Sequence, residues 1–127
     1  MEGFDNFSVF IDKKDTPFIT LRSTTITFSV VAIELLEYSR YVHMLVDMTN
    51  KKIAFKQCDN DKAAIPFYIK EKNEKQLLVR LSGKDKIDTI MNLAGINDCG
   101  KGIRFYGYFD DKNKALIFDM KQYNKES

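Results

Sequence analysis

The sequence predicts an α+β protein, with two ββαββ repeats forming a pseudo-twofold, mainly antiparallel, barrel-like domain with two short helices. Three observations carry this expectation. The run Asp47-Met48-Thr49-Asn50-Lys51-Lys52-Ile53-Ala54-Phe55 returns as Asp110-Asp111-Lys112-Asn113-Lys114-Ala115-Leu116-Ile117-Phe118, with Asp, Asn, Lys, a branched aliphatic and Phe at the same spacing. Each run follows a strand, a serine (Ser29 or Ser82), an amphipathic segment and a second strand. Each half also opens on Pro-Phe, at Pro17-Phe18 and Pro66-Phe67. One such half has too little sheet to bury a face alone, whereas two halves supply each other's missing layer within one chain. Hairpins with Asp and Asn turns occur in any α+β chain. The coincidence of turn, flanking strands and preceding capped helix is what favours duplication. The expectation is a single domain over residues 1–127, with repeats at 17–58 and 66–121 and a lead-in at 1–16.

In the lead-in, Phe7, Val9 and Ile11 alternate with Ser8 and Phe10. This fits an edge strand covering part of the sheet, or else a partner-binding arm. Lys13 to Pro17 breaks the chain. Residues 17–21 read as a strand that tolerates Pro at its first position. Residues 22–24 turn, and the alternating, β-branched residues 25–28 make a second strand. Ser29 is a candidate N-cap for a helix over residues 30–37, with Ile33 and Leu36 on one face and Glu34 and Glu37 on the other. Residues 41–46 form a strand, 47–51 a hairpin turn with Asp and Asn at turn positions, and 52–56 the return strand. Residues 58–62 read as a polar linker.

The second half is expected to run as a strand over 66–70, a charged turn over 71–75 and a strand over 76–81. A helix then spans 84–94, where Ile87, Ile90, Met91 and Ala94 make one apolar stripe. Gly95 is placed to end it in the left-handed conformation. A glycine loop leads to a strand over 103–109, the Asp110 turn and a strand over 115–118, after which the tail from 119 frays.

Composition bounds the function. The 127 residues carry 20 basic and 18 acidic side chains, a net +2 that predicts no strong nonspecific attraction to nucleic acid or anionic membrane. The N-terminus lacks a basic and an apolar signal region, and no apolar run nears the roughly 20 residues of a membrane helix. A cytoplasmic protein with no membrane partner is therefore expected. In that compartment Cys58 and Cys99 would be packed or idle thiols.

No catalytic constellation stands out. His43, the only histidine, alternates with Val42 and Met44 in a strand and reads as a solvated or hydrogen-bonded residue rather than a general base. No Ser, Cys and His form a nucleophile–base pair on a recognisable turn. Metal ligands would have to come from His43 and two distant cysteines, so no metal is expected, and no cofactor either. Gly100-Lys101-Gly102 lacks P-loop spacing and reads as a flexible connection. In the strand over 103–109, Phe105 and Phe109 share one face, and Tyr106 and Tyr108 share the other as a candidate partner surface.

The segments Ile26-Thr27-Phe28-Ser29, Ile33 and Leu36, Val42 to Asp47 and Ile53 to Lys56 resemble the AbrB/MazE family of swapped-hairpin domains. Val79 to Ser82, Ile87, Ile90, Phe105 to Asp110 and Leu116 to Phe118 offer a second copy, similar to the tandem arrangement of MraZ-type proteins. The resemblance implies a transcription-regulator-like DNA-binding protein without enzymatic activity. It places the first loop of each repeat towards double-stranded DNA, with Arg22, Lys70, Lys72 and Lys75 as candidate phosphate contacts. The chain departs from the family at Thr24-Thr25, where Gly-Arg is usual, at Ser29 and Ser82, where Pro is usual, and at Val30 to Ala32, where basic residues are usual. Those departures, and Glu71 and Glu74 among the lysines, keep open a second expectation: a protein-interaction or structural module of the same fold without DNA binding. A homodimer is among the partners this allows.

Overall fold

The computed structural model describes residues 15–75 and 77–125. The alternating Phe7, Val9 and Ile11 lie outside them, so the expected lead-in strand or arm lies there too. The elements follow the order β1 (Phe18–Leu21), β2 (Thr25–Phe28), α1 (Val30–Leu35), β3 (Tyr41–Asp47), β4 (Lys52–Gln57), β5 (Ile65–Pro66), α2 (Lys70–Asn73), β6 (Val79–Ser82), α3 (Lys84–Ala94), β7 (Ile103–Asp110), β8 (Ala115–Asp119) and β9 (Asn124–Lys125). The architecture is α+β. Every described strand pairing is antiparallel, and the sheet curls into a half-barrel in the order β5-β3-β4-β8-β7-β1-β2-β6, with β9 beside β7.

Most elements form where the pattern places them. Ser29 caps α1: its Oγ accepts from Ala32 N at 3.2 Å and from Phe18 N at 3.0 Å, so one hydroxyl also ties down the start of β1. The helix stops at Leu35 rather than at 37, because Glu37 and Tyr38 both take left-handed backbone (φ 54). α3 spans 84–94 as its stripe requires, burying Ile87, Ile90 and Leu93, and Gly95 ends it at φ 69.

The two hairpin turns share one chemistry. Asp47 Oδ1 accepts from Thr49 N and Asn50 N, and Asn50 Nδ2 donates to Asp47 Oδ2 at 2.8 Å. Asp110 Oδ1 accepts from Lys112 N and Asn113 N, and Asn113 Nδ2 donates to Asp110 Oδ2 at 2.7 Å. Each turn exits through a lysine in left-handed backbone, Lys51 at φ 57 and Lys114 at φ 54.

Four expectations are corrected. The charged run after residue 69 is not a turn but α2, a short helix closed at its start by Asn73 Oδ1, which accepts from Ile69 N at 2.8 Å. The strand expected over 66–70 shrinks to β5 at Ile65–Pro66; Phe67 N and Tyr68 N still donate to the Arg40 and Ser39 carbonyls, the Phe67 side chain enters the core, and α2 begins at Lys70. Ser82 does not cap α3. It ends β6, and Gly83 (φ 134) stands at the cap with no side-chain bond. The tail does not fray at 119: Met120 is buried, and Asn124–Lys125 pairs with β7.

The core lies on one face of the curled sheet, under α1 and α3. Phe28 is its hub, with its ring centroid 4.9 Å from both Phe55 and Phe67 in edge-to-face contact. β7 holds the two lobes of the sheet together. Its residues 103–106 pair with β1, and residues 107–110 pair with β8. Gly107 sits at the change-over. A Cβ there would press on the Ile117 carbonyl and lie 2.6 Å from Phe118 Cδ1. Glycine thus lets two backbones approach where the sheet bends.

Two seams join the earlier and later parts of the chain. β4 meets β8 with Ile53 opposite Phe118 and Phe55 opposite Leu116, around the central rung Ala54–Ile117. β2 meets β6 with Ile26 opposite Leu81 and Phe28 opposite Val79, around Thr27–Arg80.

Candidate functional site

Strand alternation sends one set of side chains into the core and the other to the opposite face. On β7, β1, β2 and β6 the register aligns the second set as one transverse row: Arg104 opposite Thr20, Thr20 opposite Thr27, and Thr27 opposite Arg80. Their neighbours along the strands, Ile103, Ile19, Ile26, Leu81 and the like, are the buried core. The row ends in a guanidinium on each side and is hydroxylic between.

A groove of about 530 Å³ is lined by Phe18, Thr20, Arg22, Thr27, Leu78 and Arg104, among others. Leu78 also lines a second groove, of about 270 Å³, with Lys72, Asn73 and Arg80. The Arg104 guanidinium carbon sits 4.0 Å from the Phe18 ring centroid, and Tyr106 packs edge-on against that ring at 5.6 Å. Thr20 is buried, and the buried Thr27 hydroxyl has no hydrogen-bond partner among the described residues.

Arg22 and Lys72 therefore flank adjoining grooves. Lys70 and Lys75 are exposed but line neither groove, and Glu71 and Glu74 alternate with them. Arg80 and Arg104 were missed by reasoning from loops. The signal was present, since each stands between two apolar strand residues and so has to face away from the core.

Tyr106 and Tyr108 separate in role. Tyr106 is half-buried against Phe18. Tyr108, 50% exposed, ends a second transverse row, Leu45–Ala54–Ile117–Tyr108, across β3, β4, β8 and β7. Leu45 at the other end is 47% exposed, so this row is an apolar stripe on the outer sheet surface.

A third cavity, of about 500 Å³, opens at the start of α3 between Ser23, Thr24, Lys84, Asp88 and Asp98. Cys99 lines it as a packed thiol. Its Sγ donates to Met91 Sδ at 3.7 Å, and burial, with Asp98 nearby, pushes its pKa up.

Residues distant in the sequence meet in the fold. His43, Cys58 and Asp61 converge, with their ligand atoms all within 4.8 Å of one another. Strand pairing explains this. His43 lies opposite Lys56, and Cys58 is two residues further on, the diagonal neighbour on the same face. The loop after β4 then brings Asp61 back, and His43 Nε2 hydrogen-bonds both its oxygens at 2.8 and 2.9 Å. That bond is the main reason the Asp61 carboxyl lies below its ordinary pKa. The Cys58 thiol is pushed up, first by burial and then by the Asp61 and Asp59 carboxylates.

Comparison with protein-family models, with curated proteins and with solved structures finds no match to this chain. Among the described residues, no helix is long and apolar enough to cross a membrane.

Proposed function

We propose that this chain is a small non-enzymatic binding protein that takes double-stranded DNA on its arginine–threonine face. The carrying observation is the row Arg104–Thr20–Thr27–Arg80 with its two grooves. Three strand spacings set its terminal arginines about 14 Å apart, close to the roughly 12 Å width of a major groove. Guanidinium groups at that separation suit phosphates on its two sides, while Thr20 and the Thr27 hydroxyl, both buried, form the floor between them. Arg22 and Lys72 extend the row at its rims, while Lys70 and Lys75 add exposed charge on α2 and just beyond it.

We further propose that the scaffold is a duplicated swapped hairpin of the AbrB/MazE type, in a tandem MraZ-like arrangement. The two matching Asp–Asn turns support it, as does the symmetry of the seams. If Ser29 is matched to Ser82 and Asp47 to Asp110, partner residues trade places about Thr27–Arg80 and about Ala54–Ile117. The leading strands also cross over: β1 pairs with β7 of the later half, and β5 pairs with β3 of the earlier one.

The test is fluorescence anisotropy with a random duplex at low and physiological salt. Binding should weaken steeply with salt, and the slope should fall by about one for each phosphate-contacting side chain removed. Arg22→Ala, Lys72→Ala and Arg80→Ala should each lower it without unfolding the protein. Failure to bind at low salt, or binding indifferent to salt, overturns this reading.

The stripe Leu45–Ala54–Ile117–Tyr108 favours a second reading, a protein-interaction module whose partner or second copy covers that stripe. Sedimentation of the wild type and of Leu45→Ser/Tyr108→Ser then reads self-association directly.

A further inference from the structure

We propose that His43, Cys58 and Asp61 form a binding site for a zinc-class divalent cation. Among the described residues, no other group of three or more His, Cys, Asp or Glu side chains converges in this way. The donors are chemically mixed: an imidazole nitrogen, a thiol sulfur and a carboxylate oxygen. Nitrogen and sulfur together suit zinc and disfavour magnesium or calcium, which take oxygen.

The site is built into the fold rather than assembled from loose side chains. His43 is held in the β3–β4 ladder, and Cys58 N donates to the Tyr41 carbonyl at 3.1 Å. Asp61 Oδ1 accepts from Ala63 N at 3.0 Å, so the backbone already orients the carboxylate. A tetrahedral centre with bonds of about 2.1 Å separates its ligand atoms by roughly 3.4 Å. The sulfur lies within 4.8 Å of the other two ligand atoms and closes by up to roughly 1 Å when the ion binds. The His43–Asp61 contact is shorter and opens by about 0.5 Å when the ion enters; the exposed loop bearing Asp61 absorbs the movement.

Three protein ligands leave a fourth position for water. On binding, the thiol proton passes to solvent, and the Nε2 proton that faces the Asp61 carboxylate leaves that nitrogen, so that the neutral ring carries its proton on Nδ1 while Nε2 takes the ion. Lys56, opposite His43, is exposed, and Asp59 beside Cys58 adds negative charge.

The experiment is titration of the full chain with Co²⁺ in buffer free of thiol reductant, followed by displacement with Zn²⁺. We expect a sulfur-to-cobalt charge-transfer band in the near ultraviolet and intense visible bands of tetrahedral cobalt, both erased by Zn²⁺. Cys58→Ser should abolish the charge-transfer band. His43→Asn and Asp61→Asn should each weaken binding at least about tenfold, since losing a ligand costs no less than losing an outer-shell partner. Cys99→Ser, in the cavity at α3, should leave the spectrum unchanged. Circular dichroism of each variant separates lost ligation from lost fold. A cobalt spectrum without a thiolate band, or one that survives Cys58→Ser in a folded protein, overturns the proposal.

Discussion

Ser29 shows how much of this protein hangs on single atoms. Its hydroxyl serves both the α1 N-terminus and the β1 amide, so Ser29→Ala should cost about 1–2 kcal/mol, the upper part of the range for lost caps, read by urea unfolding. Gly107→Ala should cost a further ~1–3 kcal/mol by overpacking, because the added methyl meets the Phe118 ring and the Ile117 carbonyl. Asp47 and Asp110 contribute to the pH dependence. Asn50 holds the Asp47 carboxyl below its ordinary value of 3.8, and Asn113 does the same for Asp110. A carboxyl with a lowered pKa binds fewer protons folded than unfolded. The stability it contributes is present above pH 3.8 and lost as pH falls through the folded value. Thermal melts below pH 4 should therefore fall more steeply for the wild type than for Asp47→Asn/Asp110→Asn. Equal slopes would show that the turns carry no such linkage.

At the scale of elements, the pairing order ranks local stability. β4 and β8 lie inside the sheet with partners on both sides, while β5 and β6 end it and β9 adds only two residues. Hydrogen exchange should find β4 and β8 slowest and the β5, β6 and β9 amides fastest. The elements legible in the sequence were those with a period or a turn signature. α3 has its stripe and its terminal glycine, and both hairpins have Asp and Asn at fixed offsets. α2 escaped because Lys70 to Asn73 has no apolar face to betray a helix, and β9 because two residues have no period at all. The candidate surfaces were half legible. Alternation alone puts Arg80 and Arg104 opposite the core, but only register puts them in one row. His43, Cys58 and Asp61 were not legible, since their meeting depends on a diagonal across a ladder and on the path of a loop.

For the whole molecule, the crossed pairing of β1 with β7 and of β5 with β3 makes the two parts of the chain interdependent. Cutting the chain in the exposed loop at Asp59–Lys62 should leave two fragments that are each unfolded alone and regain sheet structure when mixed, as circular dichroism would show. Fragments folded separately would contradict that interdependence. The same crossing bears on how the protein is made. β1 and β2 leave the ribosome early, yet β7 and β6, their other partners in the sheet, are encoded far downstream. At roughly 5–20 residues per second, the nascent first strands wait several seconds with apolar Ile19, Leu21, Ile26 and Phe28 uncovered. Folding is thus held back until most of the chain has been translated. A nascent-chain chaperone has its longest opportunity at this N-terminal third, and a premature stop before β7 releases a polypeptide with no core to close.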